Sequence, residues 1–147
     1  MTGNKKYYYF IGIGGIGMSA LARYFNGRGC MVAGYDRTES LLTGELQSEG
    51  IAIHFRDDIH SIPDEIMKAE NQSDTLVVFT PAVPDEHREL NYFRDHDYQV
   101  VKRSEVLAEI FNRKTGIAVA GTHGKTTVST MTAHILNQSV LKCTAFL

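Results

Sequence analysis

Apolar and polar positions along this chain switch repeatedly between two periods. Tyr7 to Ile13 is a continuous aromatic and β-branched run that ends in glycines, the pattern of a parallel strand covered on both faces. Ile16, Ala20, Leu21, Tyr24 and Phe25 follow at helical spacing, with Gly27 and Gly29 as a stop, so the spacing predicts a helix over 16–26. The same alternation then predicts a strand over 31–35, a helix over 40–49 closed by Gly50, and a strand over 51–55. Further along it predicts a helix over 64–70 behind Pro63, a buried strand over 75–79, a helix over 86–96 and a strand over 99–102. Ser104 is the expected N-cap of a helix running to about Asn112. Strands and helices alternating in this way predict an α/β fold, a Rossmann-like parallel sheet with helices on both faces.

The alternation restarts after Asn112-Arg113-Lys114, with a strand over 115–120, a glycine turn, a helix over 125–137 and the opening of another strand over 143–147. A domain boundary is therefore expected near residue 113, with 1–113 as one domain and 114–147 as the first strand, turn and helix of a second α/β domain. A last strand without a successor reads as a chain cut short.

Composition narrows the function. With 147 residues, of which 43% are hydrophobic and 22% charged, the chain has enough apolar material for one well-buried core. A net charge of -2 without any block of Lys or Arg leaves nucleic acid an unexpected partner. The apolar run behind the basic Lys5-Lys6 is broken by glycines far short of spanning length, so neither a membrane partner nor a targeting segment is expected. Cys30 and Cys143 have neither disulfide-framework nor metal-site spacing, which fits the reducing cytoplasm. The sequence fixes no oligomeric state.

Two turns carry candidate chemistry. Gly12-Ile13-Gly14-Gly15-Ile16-Gly17 is a GxGxxG between a predicted strand and a predicted helix. Glycines allow a tight turn and close approach of backbone to a pyrophosphate, and unpaired amides at the helix start attract the anion. Met18 and Ser19 open the same helix and offer further amides. Asp36 closes the second strand, where an acidic residue accepts hydrogen bonds from a ribose hydroxyl. The second turn, Gly121-Thr122-His123-Gly124-Lys125-Thr126-Thr127, ends as a P-loop does. There, backbone amides cradle phosphates, a lysine reaches the terminal phosphates and a hydroxyl binds magnesium. Val119 stands where the usual GxxxxGK[ST] spacing has its first glycine.

That shortened second turn resembles the ATP loop of the Mur ligase family, and Phe10 to Ala22 resembles the family's alanine-adding branch. Arg103-Ser104-Glu105-Val106-Leu107-Ala108-Glu109 is similar to the segment leading into the family's central domain, and Cys143-Thr144-Ala145-Phe146-Leu147 to the segment after its P-loop helix. Thr80-Pro81-Ala82-Val83 departs from the family's usual Ser-Ser pair, and His54-Phe55-Arg56-Asp57 lacks its Gly-His. The resemblance implies an ATP-dependent ligase of peptidoglycan synthesis, serving cell-wall growth, shape and division, with UDP-N-acetylmuramate, ATP and L-alanine as substrates. It places the UDP-sugar against Gly14, Gly15, Ile16, Gly17, Met18, Ser19, Asp36, Thr80 and Ala82, and ATP against 121–127. Lys125 would act at the γ-phosphate and Thr126, aided by Thr127, would hold Mg2+. This stretch alone is expected to bind the UDP-sugar without turnover.

Two other readings compete, an NAD-dependent dehydrogenase using the first turn and a nucleotide-sensing module without chemistry. A hydride-transfer enzyme has no need of the second turn. None of the six histidines is paired with a nucleophile. His60, His87, His96 and His134 are expected on surfaces, and His123 within the phosphate turn.

Overall fold

The computed structural model describes residues 5–146. It divides into two compact units, Met1–Ile110 and Phe111–Leu147. In the first, β1 (Tyr7–Ile11), β2 (Met31–Tyr35), β3 (Ala52–His54), β4 (Thr75–Phe79) and β5 (Gln99–Lys102) form a single parallel sheet in the order β3-β2-β1-β4-β5. The helices are α1 (Ile16–Asn26), α2 (Leu41–Ser48), α3 (Asp64–Met67), α4 (Arg88–Asp95), α5 (Arg103–Asn112) and α6 (Lys125–Gln138).

Central β1 shows why its sequence reads as an unbroken apolar run. Successive side chains leave a strand on opposite faces, so a strand covered on both sides needs apolar residues at every position. Tyr8 stacks on Phe25 of α1 with ring centroids 3.7 Å apart. Tyr9 and Ile11 point the other way, into a cluster with Ala33, Ile66, Val77, Leu90 and Phe93. In register, Tyr9 lies between Ala33 and Val77.

Several element ends differ from the sequence expectation, each for a local reason. β1 stops at Ile11 because the amides of Gly12 and Ile13 both turn onto the Tyr35 carbonyl, at 2.8 and 3.0 Å, with Gly12 at φ +86°. α2 keeps its expected N-cap, since Ser40 and Thr43 form a reciprocal capping box. α3 is a single turn ended by extended Lys68, and a 3-10 segment, Ala69–Asp74, replaces the rest of the expected helix. Only Ile66 of α3 is buried, too little apolar surface to hold a longer helix. α5 begins at Arg103, one residue before the expected cap, and Glu105 reaches back to the amide of Lys102 at 3.4 Å. His87, expected on a surface, is 6% exposed at the N-cap of α4.

The second unit is one helix, α6, with coil on either side. Residues 115–120 and 143–146, expected as strands, are not in a sheet, and Leu147 of the second segment lies outside the described residues. A strand exists only against a hydrogen-bonding neighbour, and among the described residues neither segment has one. α6 buries none of its residues, leaving Val128, Met131 and Ile135 exposed.

Gly34 is the tightest point of the sheet. A Cβ there would collide with the Phe10 carbonyl oxygen and come within 3.0 Å of Ile13 Cδ1. Gly34→Ala is expected to destabilise the domain by about 2–3 kcal/mol, as overpacking against fixed backbone does. Urea unfolding of parent and variant measures this, and an unchanged midpoint would refute it.

Candidate functional site

In an open parallel sheet, ligands sit beyond the carboxyl ends of the strands where the strand order reverses. Here that point lies between β1 and its neighbour β4. The turns leaving these two strands face each other. A Cβ on Gly12 would lie 3.8 Å from Thr80 Oγ1 and 4.0 Å from Val83 Cγ2. Thr80 is half-buried on this wall and Ala82 is exposed. The Val83 amide closes their turn onto the Thr80 carbonyl at 3.1 Å.

The glycine turn divides its amides between structure and open space. The Gly14 amide donates to Asp36 Oδ2 at 2.7 Å, and a Cβ on Gly14 would meet that oxygen and Thr43 Cγ2, each at 2.8 Å. Glycine is therefore required at 14 by the Asp36 carboxylate and α2, and its amide is engaged. Asp36 also accepts from the Thr38 amide at 3.1 Å. The amides of Met18 and Ser19, expected to serve an anion, are taken by the Gly15 carbonyl at 2.9 and 2.8 Å, and both side chains are buried. Gly15 donates weakly to Gly12 at 3.2 Å. Among the described residues nothing accepts from the amides of Ile16 and Gly17, the first two of α1. These are the donors left for a ligand.

Arg103 completes this end of α1, and sequence reasoning did not single it out. A Cβ on Gly17 would collide with Arg103 Nη1 and lie 3.0 Å from Cζ, so the guanidinium rests on the helix's first turn. Gly15 supplies no side-chain cap and the first turn holds no acidic residue. Nor does Arg103 make an ion pair or hydrogen bond among the described residues. A cation beside the positive end of a helix is unfavourable by itself. An anion seated between them reverses the sign, because free amides, dipole and guanidinium then act on it together. The available signal was position, since Arg103 directly follows β5, where α/β ligand residues gather. The direction of its side chain was not readable.

In the second unit, Gly121-Thr122-His123-Gly124 is an exposed loop leading into α6. Gly124 caps α6 at φ +75°, a conformation that favours glycine, and no side chain caps the helix. A Cβ there would meet nothing within 4 Å, so space over the amides is open. Lys125 Nζ folds back onto the carbonyls of Gly121 at 2.7 Å and Thr122 at 3.4 Å. His123, Thr126 and Thr127 are exposed beside it. Uncapped amides, a lysine over the loop and two hydroxyls fit a nucleotide's phosphates, and hydroxyl oxygen suits Mg2+. Among the described residues no group of three His, Cys, Asp or Glu could hold a metal, and no helix is long and apolar enough to cross a membrane.

Known proteins are similar to this chain in sequence and in fold. The UDP-N-acetylmuramate–L-alanine ligase of Porphyromonas gingivalis is 56% identical over 142 residues, covering 97% of this chain and 30% of that protein. The namesake ligase of Flavobacterium johnsoniae is 57% identical over 138 residues, again over 30% of its length. Among solved structures, the UDP-N-acetylmuramate–alanine ligase of Thermotoga maritima superposes with a TM-score of 0.73 at 32% identity, over 88% of this chain and 29% of that one. A murein peptide ligase from Psychrobacter arcticus gives 0.76 at 29% identity, over 90% and 26%. The chain thus spans about 30% of the curated relatives it matches. Residues 7–115 match the model described as Mur ligase family, catalytic domain, and the chain belongs to that family.

Proposed function

We propose that this chain is the N-terminal part of an ATP-dependent ligase that joins L-alanine to UDP-N-acetylmuramate in the cytoplasm. Its residues 1–113 would form the sugar-nucleotide domain and 114–147 the start of the ATP-binding domain. The observation that carries the reading is the uncapped start of α1, with the Ile16 and Gly17 amides free and the Arg103 guanidinium laid over them. That arrangement suits a pyrophosphate, whose two phosphates need several convergent donors.

In this reading the diphosphate spans Gly15, Ile16 and Gly17 under Arg103, and Asp36, already fastened to Gly14, presents its remaining lone pairs to the ribose. Thr80 and Ala82 line the opposite wall. The γ-phosphoryl group of ATP passes to the sugar's lactyl carboxylate with release of ADP, and the amino group of alanine then displaces phosphate from the acyl phosphate to form the amide. Lys125 leaves its loop carbonyls to meet the terminal phosphates, where charge accumulates during transfer and fixed cations contribute most. Thr126, with Thr127, would hold Mg2+, and Gly121, Thr122, His123 and Gly124 would wrap the phosphates. Turnover needs parts of the ligase beyond this chain, so binding without catalysis is its expected behaviour.

Calorimetric titration of the chain with UDP-N-acetylmuramate, UDP and NADH tests the first site. Both uridine ligands are expected to bind, and tight NADH binding with no response to them would sink the reading in favour of a dehydrogenase. Arg103→Ala is expected to weaken UDP-N-acetylmuramate about 10- to 100-fold, the worth of a charge-assisted hydrogen bond, while the free protein melts no lower than the parent, since a cation is removed from a helix end of like sign. Gly17→Ala, which displaces only a flexible guanidinium and improves helix propensity, should fold at least as stably as the parent and yet bind more weakly. Equal affinity in both variants would remove Arg103 from the site. In the full-length ligase, Lys125→Ala should lower kcat at least about 100-fold, as loss of an electrostatic group at a reacting centre does, and leave UDP-sugar affinity intact. A loss of sugar affinity equal to the loss of rate would contradict the separation of the two sites.

A further inference from the structure

A chain of polar groups, buried at Tyr9 and Glu89 and half-buried at His54, lies on the α4 side of the sheet. Glu89 and Tyr9 are both 0% exposed. The Tyr9 hydroxyl is 2.6 Å from Glu89 Oε2 and 2.7 Å from His54 Nε2. Glu89 Oε1 accepts from the Asp58 amide at 3.1 Å and lies 3.6 Å from His54 Nε2. His54 Nδ1 stands 2.9 Å from the carbonyl oxygen of Arg56. A carbonyl can only accept, so this bond requires a hydrogen on Nδ1.

With Nδ1 occupied, two arrangements satisfy both short contacts of Tyr9. In one, neutral His54 accepts at Nε2 from the Tyr9 hydroxyl, whose oxygen accepts from a protonated Glu89. In the other, an imidazolium donates from Nε2 to Tyr9, and Tyr9 donates to a Glu89 carboxylate. Both are neutral overall and hold the same number of protons, differing by the shift of two along the chain. Removal of one proton leaves two acceptors facing a single hydroxyl hydrogen, and one buried contact becomes acceptor against acceptor, which is costly.

The surroundings favour the first arrangement. Burial pushes the Glu89 carboxyl up to about 7, against the lowering effect of the bonds from Tyr9 and Asp58. Burial likewise holds His54 below its usual value, although the Arg56 carbonyl and Asp58 and Asp57 oppose it. The Tyr9 phenol is raised, first by burial and then by Glu89. The other groups facing the chain are Tyr35 of β2, Asp57, Asp58 and His87. Asp57 accepts from the amides of Arg88 and Glu89 at 2.9 and 3.1 Å. His87 lies 3.3 Å from Asp57 Oδ1, accepts at Nδ1 from the Leu90 amide at 3.3 Å and leaves Nε2 buried without a partner among the described residues.

We infer that Tyr9, His54 and Glu89 form a hydrogen-bonded relay that holds one titratable proton between Glu89 and His54, and that His54 and Glu89 are positioning residues that hold both walls of the crevice through it. On one side the His54 carbonyl accepts from the Asp36 amide at 3.1 Å, and Asp36 in turn holds Gly14. On the other, Glu89 anchors the first turn of α4, directly after the segment that carries Thr80 and Val83. The coupling to ligand rests on the sugar-nucleotide reading above, and the relay does not.

The sign follows from comparing proton numbers. An unfolded chain carries an ionised Glu89 above 4.5 and loses the His54 proton at 6.5. Between these values it holds as many protons as the relay, so their effects on stability cancel there. Above 6.5 the folded chain keeps one proton that the unfolded chain has lost. Stability therefore falls as pH rises above 6.5, until the relay itself loses its proton.

Nitrogen-15 NMR of the imidazoles in this chain reads the relay, and calorimetry at pH 6.5 and about pH 8 reads the coupling. At pH 6.5 His54 is expected as the neutral Nδ1–H tautomer, and UDP-N-acetylmuramate should bind about tenfold more weakly at the higher pH, the effect of one disrupted buried hydrogen bond. Glu89→Gln supplies an N–H to Tyr9 permanently, so it should keep that tautomer and bind with no dependence on pH. Matching pH profiles in parent and Glu89→Gln would overturn the coupling. A His54 that titrates as an isolated imidazole, unaffected by the substitution, would overturn the relay. Should the variant fail to fold, the carbon-13 shift of the parent's Glu89 carboxyl decides instead, and ionisation below pH 5 refutes the relay. Absence of sugar-nucleotide binding at both pH values, with the tautomer as expected, would overturn the ligand reading and its coupling and leave the relay standing.

Discussion

β1 is paired on both edges, by β2 and β4, and covered on both faces. Its backbone groups are consumed by the sheet and its side chains by two separate packing layers, so the chain can leave it only at the carboxyl end. There the Tyr35 carbonyl takes the amides of both Gly12 and Ile13. This double acceptance ends the strand and aims the chain into α1. The position of the crevice, the exposure of the first α1 amides and the approach of Arg103 all follow from that one bend.

Charge at the crevice is sorted by what each group can already satisfy. Asp36 is held by Gly14 and Thr38 and brings a carboxylate whose two oxygens each already accept a backbone amide. Arg103 is the reverse case, a cation placed against a helix end of like sign and without an internal partner among the described residues. An arrangement of that kind costs stability in the free protein and repays it only with an anion in place. In the proposed function it is this feature that sets the turn apart from one that merely lets a helix pack.

Residues 111–146 show the opposite situation. The loop chemistry before α6 is local, since glycine dihedrals, the uncapped helix start and the Lys125 contacts involve neighbours in sequence. Sheet formation is not local, and the apolar runs around α6 have no paired strand among the described residues. The glycine loop before α6 therefore takes its conformation without a paired strand among the described residues.

The periodic pattern by itself determined the parallel sheet of the first unit and the bounds of β2, β4 and β5, because burial on both faces leaves an apolar run in β2 and β4 and the Val100-Val101 pair marks the edge strand β5. It also determined the two glycine turns that precede α1 and α6, because glycine at fixed spacing is a backbone requirement. Tertiary structure alone decided which amides remain free, that Gly14 serves Asp36, that Arg103 lies on Gly17, and that His54, Tyr9 and Glu89 meet. Those residues are separated by between 22 and 86 positions or fall within that span. No local periodicity records a contact between side chains that converge only when the strands pair, and a buried Glu or His carries the same letter as an exposed one.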